Sequence, residues 1–197
     1  MSRIIGLRDL HICELNADNG SAAPTYGEAI KVPSLISMDI QDNTESVTFY
    51  SDDVAEQVIQ AFSGKEVTIE LGYLTNELEA LISGNDYDKT TGVFTQNANC
   101  ESKEIGLMFR APKSKGGNYQ YVALYKGVLA RDGQSYKTKE ESTESSNVTL
   151  KGVFMPLAYN GDVSVKVDSE DCKQQNIIND WFTKPYVKGA ATVAAKA

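Results

Sequence analysis

Histidine is nearly missing from this chain: among 197 residues there is one, His11. Any Ser–His–Asp or Cys–His catalytic arrangement would have to be built on it, and it falls inside a pattern that reads as a strand. Neither CxxC nor HExxH occurs, so the common zinc sites are not signalled. Basic charge is also short. The 19 Lys and Arg stand against 27 Asp and Glu, for a net charge of −8. That balance favours solubility and does not grip a phosphate backbone. No apolar run approaches the roughly 18 residues of a membrane helix. The start, MSRIIGLRDL, lacks a continuous apolar stretch, so no signal peptide is expected. Cysteine is scarce and odd in number. Cys13, Cys100 and Cys172 point to reduced thiols in packing or surface roles.

What is present is mostly strand sequence. LHICEL (10–15) reads as a strand, and NADNG (16–20) as a turn cluster. In LISMDIQ (35–41), Ile36, Met38 and Ile40 share one face and Ser37, Asp39 and Gln41 the other. DNTE (42–45) is expected to turn and SVTFY (46–50) to form a second strand. Residues 53–62 are ambiguous: Asp53 with Glu56 suits a capping box, and Val54, Val58, Ile59 and Phe62 fit one helical face, which Gly64 would end. Residues 66–73 alternate cleanly as a strand. The clearest helix is 76–83, with Asn76 as cap, Glu79 completing a box, Leu74, Leu78, Leu81 and Ile82 as the stripe and Gly84 as the C-terminal stop.

The second half reads as hairpins. IGLMFRA (105–111) and NYQYVALYKGVLA (118–130) flank a Gly116–Gly117 turn, and VTLKGVFMPLAY (148–159) and DVSVKV (162–167) flank Asn160–Gly161. Tyr119, Tyr121, Tyr125 and Leu129 share one face of the first of these, and Val122, Leu124 and Val128 the other. Between 131 and 147 lies a stretch with almost no apolar side chains, polar on both sides, which suits either a strand between two wet surfaces or a surface loop. Residues 170–182 suit a short helix bearing Ile177, Ile178, Trp181 and Phe182 and stopping before Pro185. The expected class is α+β, mainly β, in two antiparallel sheets, one domain over 1–197 with 183–197 as a flexible C-terminal arm.

Motifs for chemistry are thin. NDYDKTTG (85–92) sets Asp86 and Asp88 like the first ligands of a calcium loop, but Thr91 stands where glycine is needed and Asn97 where glutamate is needed. A solvated turn is the plainer reading. GGNYQY has no following helix to receive a phosphate. Asn147-Val148-Thr149 matches a glycosylation pattern that has no meaning without secretion. No catalytic residue, metal site or cofactor is expected. Self-association is the stronger expectation. The long strand patterns carry no proline before Pro156, and unblocked sheet edges pair.

Taken in order, IGLRDLHICELNAD (5–18), TYGEAIKVPSLISMDI (25–40), FYSDDVAEQ (49–57), EVTIELGYL (66–74), IGLMFRAPKSKGGNYQYVALYKGVL (105–129), VTLKGVFMP (148–156) and the INDWF segment (178–182) give a chain that resembles the major tail proteins building the tail tubes of long, non-contractile-tailed phages of Gram-positive bacteria. The resemblance implies a two-sheet β-sandwich with one flanking helix. It implies hexameric rings whose inner sheets join into a barrel, stacked into a tube that conducts double-stranded DNA without binding it specifically. It implies no enzyme activity and no membrane insertion. Further copies of the chain, a tape-measure protein and tail-tip and terminator proteins are the implied partners. The implied place is the virion tail, after synthesis in the host cytoplasm. A tube subunit of a secretion or contractile injection machine, moving protein effectors, is the alternative. On this reading Asp39, Gln41, Asp42 and Glu45 line the lumen, with Glu140, Ser142 and Glu144 from the polar stretch. Val54, Val58, Ile59 and Phe62 contact a neighbouring subunit, because such a set exceeds what a free loop tolerates.

Overall fold

The computed structural model describes residues 2–51, 54–114, 116–134 and 147–189. In chain order the elements are β1 (Arg8–Ala17), β2 (Thr25–Tyr26), β3 (Ile30–Lys31), β4 (Leu35–Ser51), β5 (Val54–Leu71), α1 (Asn76–Ser83), β6 (Asp86–Asp88), β7 (Val93–Thr95), β8 (Ile105–Pro112), β9 (Tyr119–Arg131), β10 (Val148–Met155), β11 (Ser164–Asp168) and α2 (Gln175–Asn179). The chain is mainly β. One large antiparallel sheet runs β2-β1-β8-β9-β10-β5-β4, with β3 added to β1 and β11 to β9, while β6 and β7 form a separate small hairpin.

The large sheet bends around its own apolar side. Met38 and Ile40 of β4 line the same open groove, of about 390 Å³, as Phe109 of β8 and Val122 of β9. In the sheet order β9, β10 and β5 lie between β4 and β8, so only a curled sheet brings them face to face. Inside the curl Leu10, Ile12, Ile69, Leu107, Leu150 and Phe154 are fully buried. The back of β1, β8 and β9 carries a second apolar set, Cys13, Met108, Tyr121 and Ala123, covered by Ile178 and Trp181 from the C-terminal segment. Period-2 alternation therefore serves two cores at once: Leu10 and Ile12 face one, Cys13 the other.

The stripe on α1 was legible; its cap was not. The N-cap is Thr75, whose extended backbone (φ −76°, ψ 148°) lets its Oγ1 accept from Leu78 N at 3.3 Å, so Asn76 is the first helical residue instead. Glu79 is thereby free of capping and pairs with Arg131 at 3.1 Å. Gly84, at φ 71°, donates its N–H to Ala80 O as the expected stop.

Other expectations are corrected as well. Residues 42–45 do not turn and, of the 53–62 stretch, the described residues 54–62 are not helical, since β4 runs unbroken from Leu35 and pairs with β5 along its whole length. The polar DNTE stretch stays extended because the ladder satisfies its backbone, and Gly64, at φ 153°, sits at a bulge opposite Asn43. Secondly, a bulge at Leu35–Ser37 turns Ile36 outward, and Leu35 packs inward beside Met38 and Ile40.

Thirdly, β9 changes phase. Ile105 pairs with Gly127 but Leu107 with Leu124, so β9 carries one extra residue there. Beyond it Leu129 joins Val122 and Leu124 in the main core, and the tyrosine face ends at Tyr125. Fourthly, β10 and β11 do not form a hairpin around Asn160–Gly161. They lie end to end on one edge of β9, β10 against 126–131 and β11 against 120–124. The flexible arm expected from 183 is likewise shortened. Pro185 and Val187 are buried, and Tyr125 Oη donates to Tyr186 O at 2.7 Å. Residues 190–197 lie outside the described residues.

Candidate functional site

Strands β4, β5 and β10 are buried on one side and wet on the other. On the wet side the register places Ser37 opposite Glu70, Asp39 opposite Thr68 and Gln41 opposite Glu66. On the other flank of β5, Glu70 faces Thr149, Thr68 faces Lys151 and Glu66 faces Val153. Ser37 Oγ donates to Glu70 Oε2 at 3.1 Å, Asn147 Nδ2 donates to Glu70 Oε1 at 2.8 Å, and Gln41 Nε2 donates to Asp39 Oδ2 at 3.2 Å. Lys151 is tied to Asp132 at 2.7 Å. The surface is a broad polar sheet face on which carboxylates outnumber cations.

Past residue 43 the same two strands leave the sheet. Below Lys65, β5 has no partner but β4 among the described residues, because β10 stops pairing at Phe154–Lys65. Residues 43–51 and 54–64 thus form a two-stranded arm, about 30 Å long at the usual rise per residue. Such a ribbon is marginally stable by itself in water. Alternation puts Val58, Gln60 and Phe62 on one face of it, and Val58 is 58% exposed and Phe62 42%. The outer edge of β4 is unpaired among the described residues along its full length.

The residues singled out from sequence fall into four groups. Asp39 and Gln41 stand on the wet face. Asp42 points to the other side: it lines the groove with Met38 and Ile40 and forms an ion pair with Lys65. Glu45 pairs with Ala61 in the arm, where Val54 and Ile59 pair with Ser51 and Val47 beside the exposed Val58 and Phe62. Glu140, Ser142 and Glu144 lie outside the described residues. Sequence reading missed Glu66, Thr68, Glu70 and Lys151 as neighbours of Asp39. The alternation of 66–71 was legible, but which strands flank it is a long-range fact.

The remaining candidates for chemistry have structural partners. The His11 ring packs on Phe182 with centroids 4.6 Å apart, and its Nδ1 lies 2.9 Å from Asp9 O. The Asp9 carboxylate receives Lys31 at 2.7 Å and Arg110 at 2.6 Å, and the Lys31 hydrogen bond, followed by that of Arg110, holds it below the usual carboxylate range. The Arg110 guanidinium in turn sits 4.5 Å from the Tyr119 ring. This cluster ties β1, β3 and β8 to the C-terminal segment. Asp88 closes its own turn, accepting from Thr90 N at 2.8 Å and Thr91 Oγ1 at 2.7 Å, and the Thr91 hydroxyl lowers its pKa. No family model matches the chain, and no curated protein matches it.

Proposed function

We propose that this chain is the structural subunit of a phage tail tube, assembling into hexameric rings that stack around a channel for double-stranded DNA. One observation carries the reading: β4, 17 residues long, combines an unpaired edge among the described residues, an acidic wet face and a continuation into an uncovered arm. An unblocked edge recruits a strand from another copy, and closing a ring of copies removes every such edge. On this reading the bent sheet takes the part of the tail-tube sandwich, and α1 that of its flanking helix. The wet face of β4, β5 and β10 forms the lumen wall. The arm, with Val58 and Phe62, reaches the neighbouring subunit. Tape-measure, terminator and tip proteins meet the tube at its bore and ends.

The charge of the wall favours DNA over protein cargo. Duplex DNA carries one negative charge per about 1.7 Å of axis, so a basic wall would hold it in transit. Asp39, Glu66 and Glu70 keep it off the wall, and screening over about 8–10 Å confines that repulsion to the periphery. A conduit for effectors of varied charge gains nothing from a wall of one sign. The test is genome delivery by particles carrying Asp39→Lys and Glu66→Lys. Tails should assemble normally, and delivery should slow, most strongly at low salt. Delivery that is unchanged and independent of salt would contradict the assignment of this face to the lumen.

A further inference from the structure

Two Asn-Gly steps occur in the chain, Asn19–Gly20 and Asn160–Gly161. The fold brings them together at one end. The Asp18 carboxylate, 1% exposed, accepts from Ala158 N at 2.7 Å and Tyr159 N at 3.2 Å, and a Cβ on Gly20 would lie 3.4 Å from Ala158 O. Asn-Gly is the step most open to attack by the backbone on its own side chain, because glycine has no Cβ to shield its amide nitrogen. All four residues are exposed, so exposure does not distinguish the two steps.

Hydrogen bonding does. At Asn160 both reacting nitrogens are engaged: Gly161 N donates to Leu157 O at 2.9 Å, and Asn160 Nδ2 donates to Asp162 Oδ2 at 2.7 Å. The Asp162 carboxylate also opposes the negative charge that must develop beside it. At Asn19 neither Gly20 N nor Asn19 Nδ2 has a hydrogen-bond partner among the described residues. The oxygen does not separate the two sites: Asn19 Oδ1 accepts from Ser21 N and Ala22 N at 3.3 and 3.4 Å and Asn160 Oδ1 from Asp162 N at 3.0 Å, so an oxyanion would meet backbone donors at either, and the nitrogens alone tell them apart.

We infer that Asn19 is a site of spontaneous deamidation and isoaspartate formation, and that the fold protects Asn160 from the same reaction. Hydroxide or a buffer base removes the proton of Gly20 N, and that nitrogen bonds to Asn19 Cγ. The carbonyl electron pair moves to Oδ1 and returns as the Cγ–Nδ2 bond breaks, and Nδ2 takes a proton from water and leaves as ammonia. Water then opens the resulting succinimide at one carbonyl to give aspartate, or at the other to give isoaspartate. The net change consumes one water and releases one ammonia, with no electron transfer. The product places a new carboxylate next to the buried Asp18, and the isoaspartate form lengthens the backbone one residue beyond the clamp that holds Ala158 and Tyr159.

The test is incubation of the purified full chain in mildly alkaline buffer, with modification at both asparagines followed by peptide mass spectrometry, folded and in denaturant. In the folded protein Asn19 should convert about tenfold faster than Asn160, the rate equivalent of about 1.4 kcal/mol or roughly one net hydrogen bond. In denaturant, where both steps lose their partners, the two rates should converge. Equal rates in the folded chain, faster loss at Asn160, or a difference that persists in denaturant would each overturn the inference.

Discussion

At the scale of single residues, burial decides behaviour that composition leaves open. Cys13 is fully buried and donates to Gly106 O at 3.6 Å, and burial pushes its thiol up to about 12 from an ordinary value of 9.0. A pKa raised on folding stabilises the fold below the unfolded value and loses that contribution as pH climbs toward the folded one. Stability should therefore fall between about pH 9 and 12, by about 1.4 kcal/mol per unit from this thiol. Denaturation of Cys13→Ala across that range should show a shallower slope. Some slope remains, because burial also raises Tyr26 and Tyr125. Near neutral pH a thiol reagent should label Cys100 and Cys172 and spare Cys13 until the chain unfolds. Gly127 makes a second residue-scale case. It sits directly across from Phe154, whose ring would lie 2.5 Å from a Cβ at that position. The aromatic ring fills the space that glycine leaves, as cross-strand rings do over strand glycines. Gly127→Ala should cost about 1–3 kcal/mol by overpacking, measured by denaturant unfolding.

At the scale of elements, α1 and the arm behave oppositely. The helix buries Leu78 almost completely and leaves Leu81 half-buried. Leu78→Ala should cost about 2–5 kcal/mol, and Leu81→Ala clearly less. A loss below about 0.5 kcal/mol at Leu78, within the range of surface substitutions, would show the helix to be peripheral. This helix was legible because its stripe and Gly84 are local signals, although its cap lies one residue earlier than expected, at Thr75. The arm was not. Val54, Val58, Ile59 and Phe62 recur at spacings that fit a helical face, and an extended ribbon accommodates the same residues when a partner strand supplies the hydrogen bonds. That partner, 43–51, begins with residues of high turn propensity, so local preference misread its first residues along with 54–62, while 46–50 is the strand expected of it. The β9 phase change had no local signal either: it is set by where β8 pairs, and it moves Leu129 into the core and Val128 out of it. The tyrosines before the bulge and the alternation of 66–71 were read correctly because no irregularity interrupts them, whereas the strand ends at Leu71 and Tyr73, expected on its apolar face, is 60% exposed.

At the scale of the whole molecule, the fold is finished on its apolar sides and unfinished at its margins. Two cores are closed, by the curled sheet and by the Trp181 segment, whereas β4 keeps an unpaired edge among the described residues and the arm has no cover. The proposed ring of copies would satisfy both needs at once and turn the acidic face into a lining. The wet face was half legible from sequence: Asp39 and Gln41 follow from alternation, while Glu66, Glu70 and Lys151 join them only through strand order. The central claim, self-assembly into a hollow tube, is tested most directly by negative-stain electron microscopy of the purified chain at high concentration, beside Val58→Asp and Phe62→Asp. The account predicts rings or tubes with a central channel for the unaltered protein, and folded but unassembled subunits for both variants, whose substitutions lie on the exposed face of the arm. A compact monomer from the unaltered chain, or normal tubes from the variants, would contradict it.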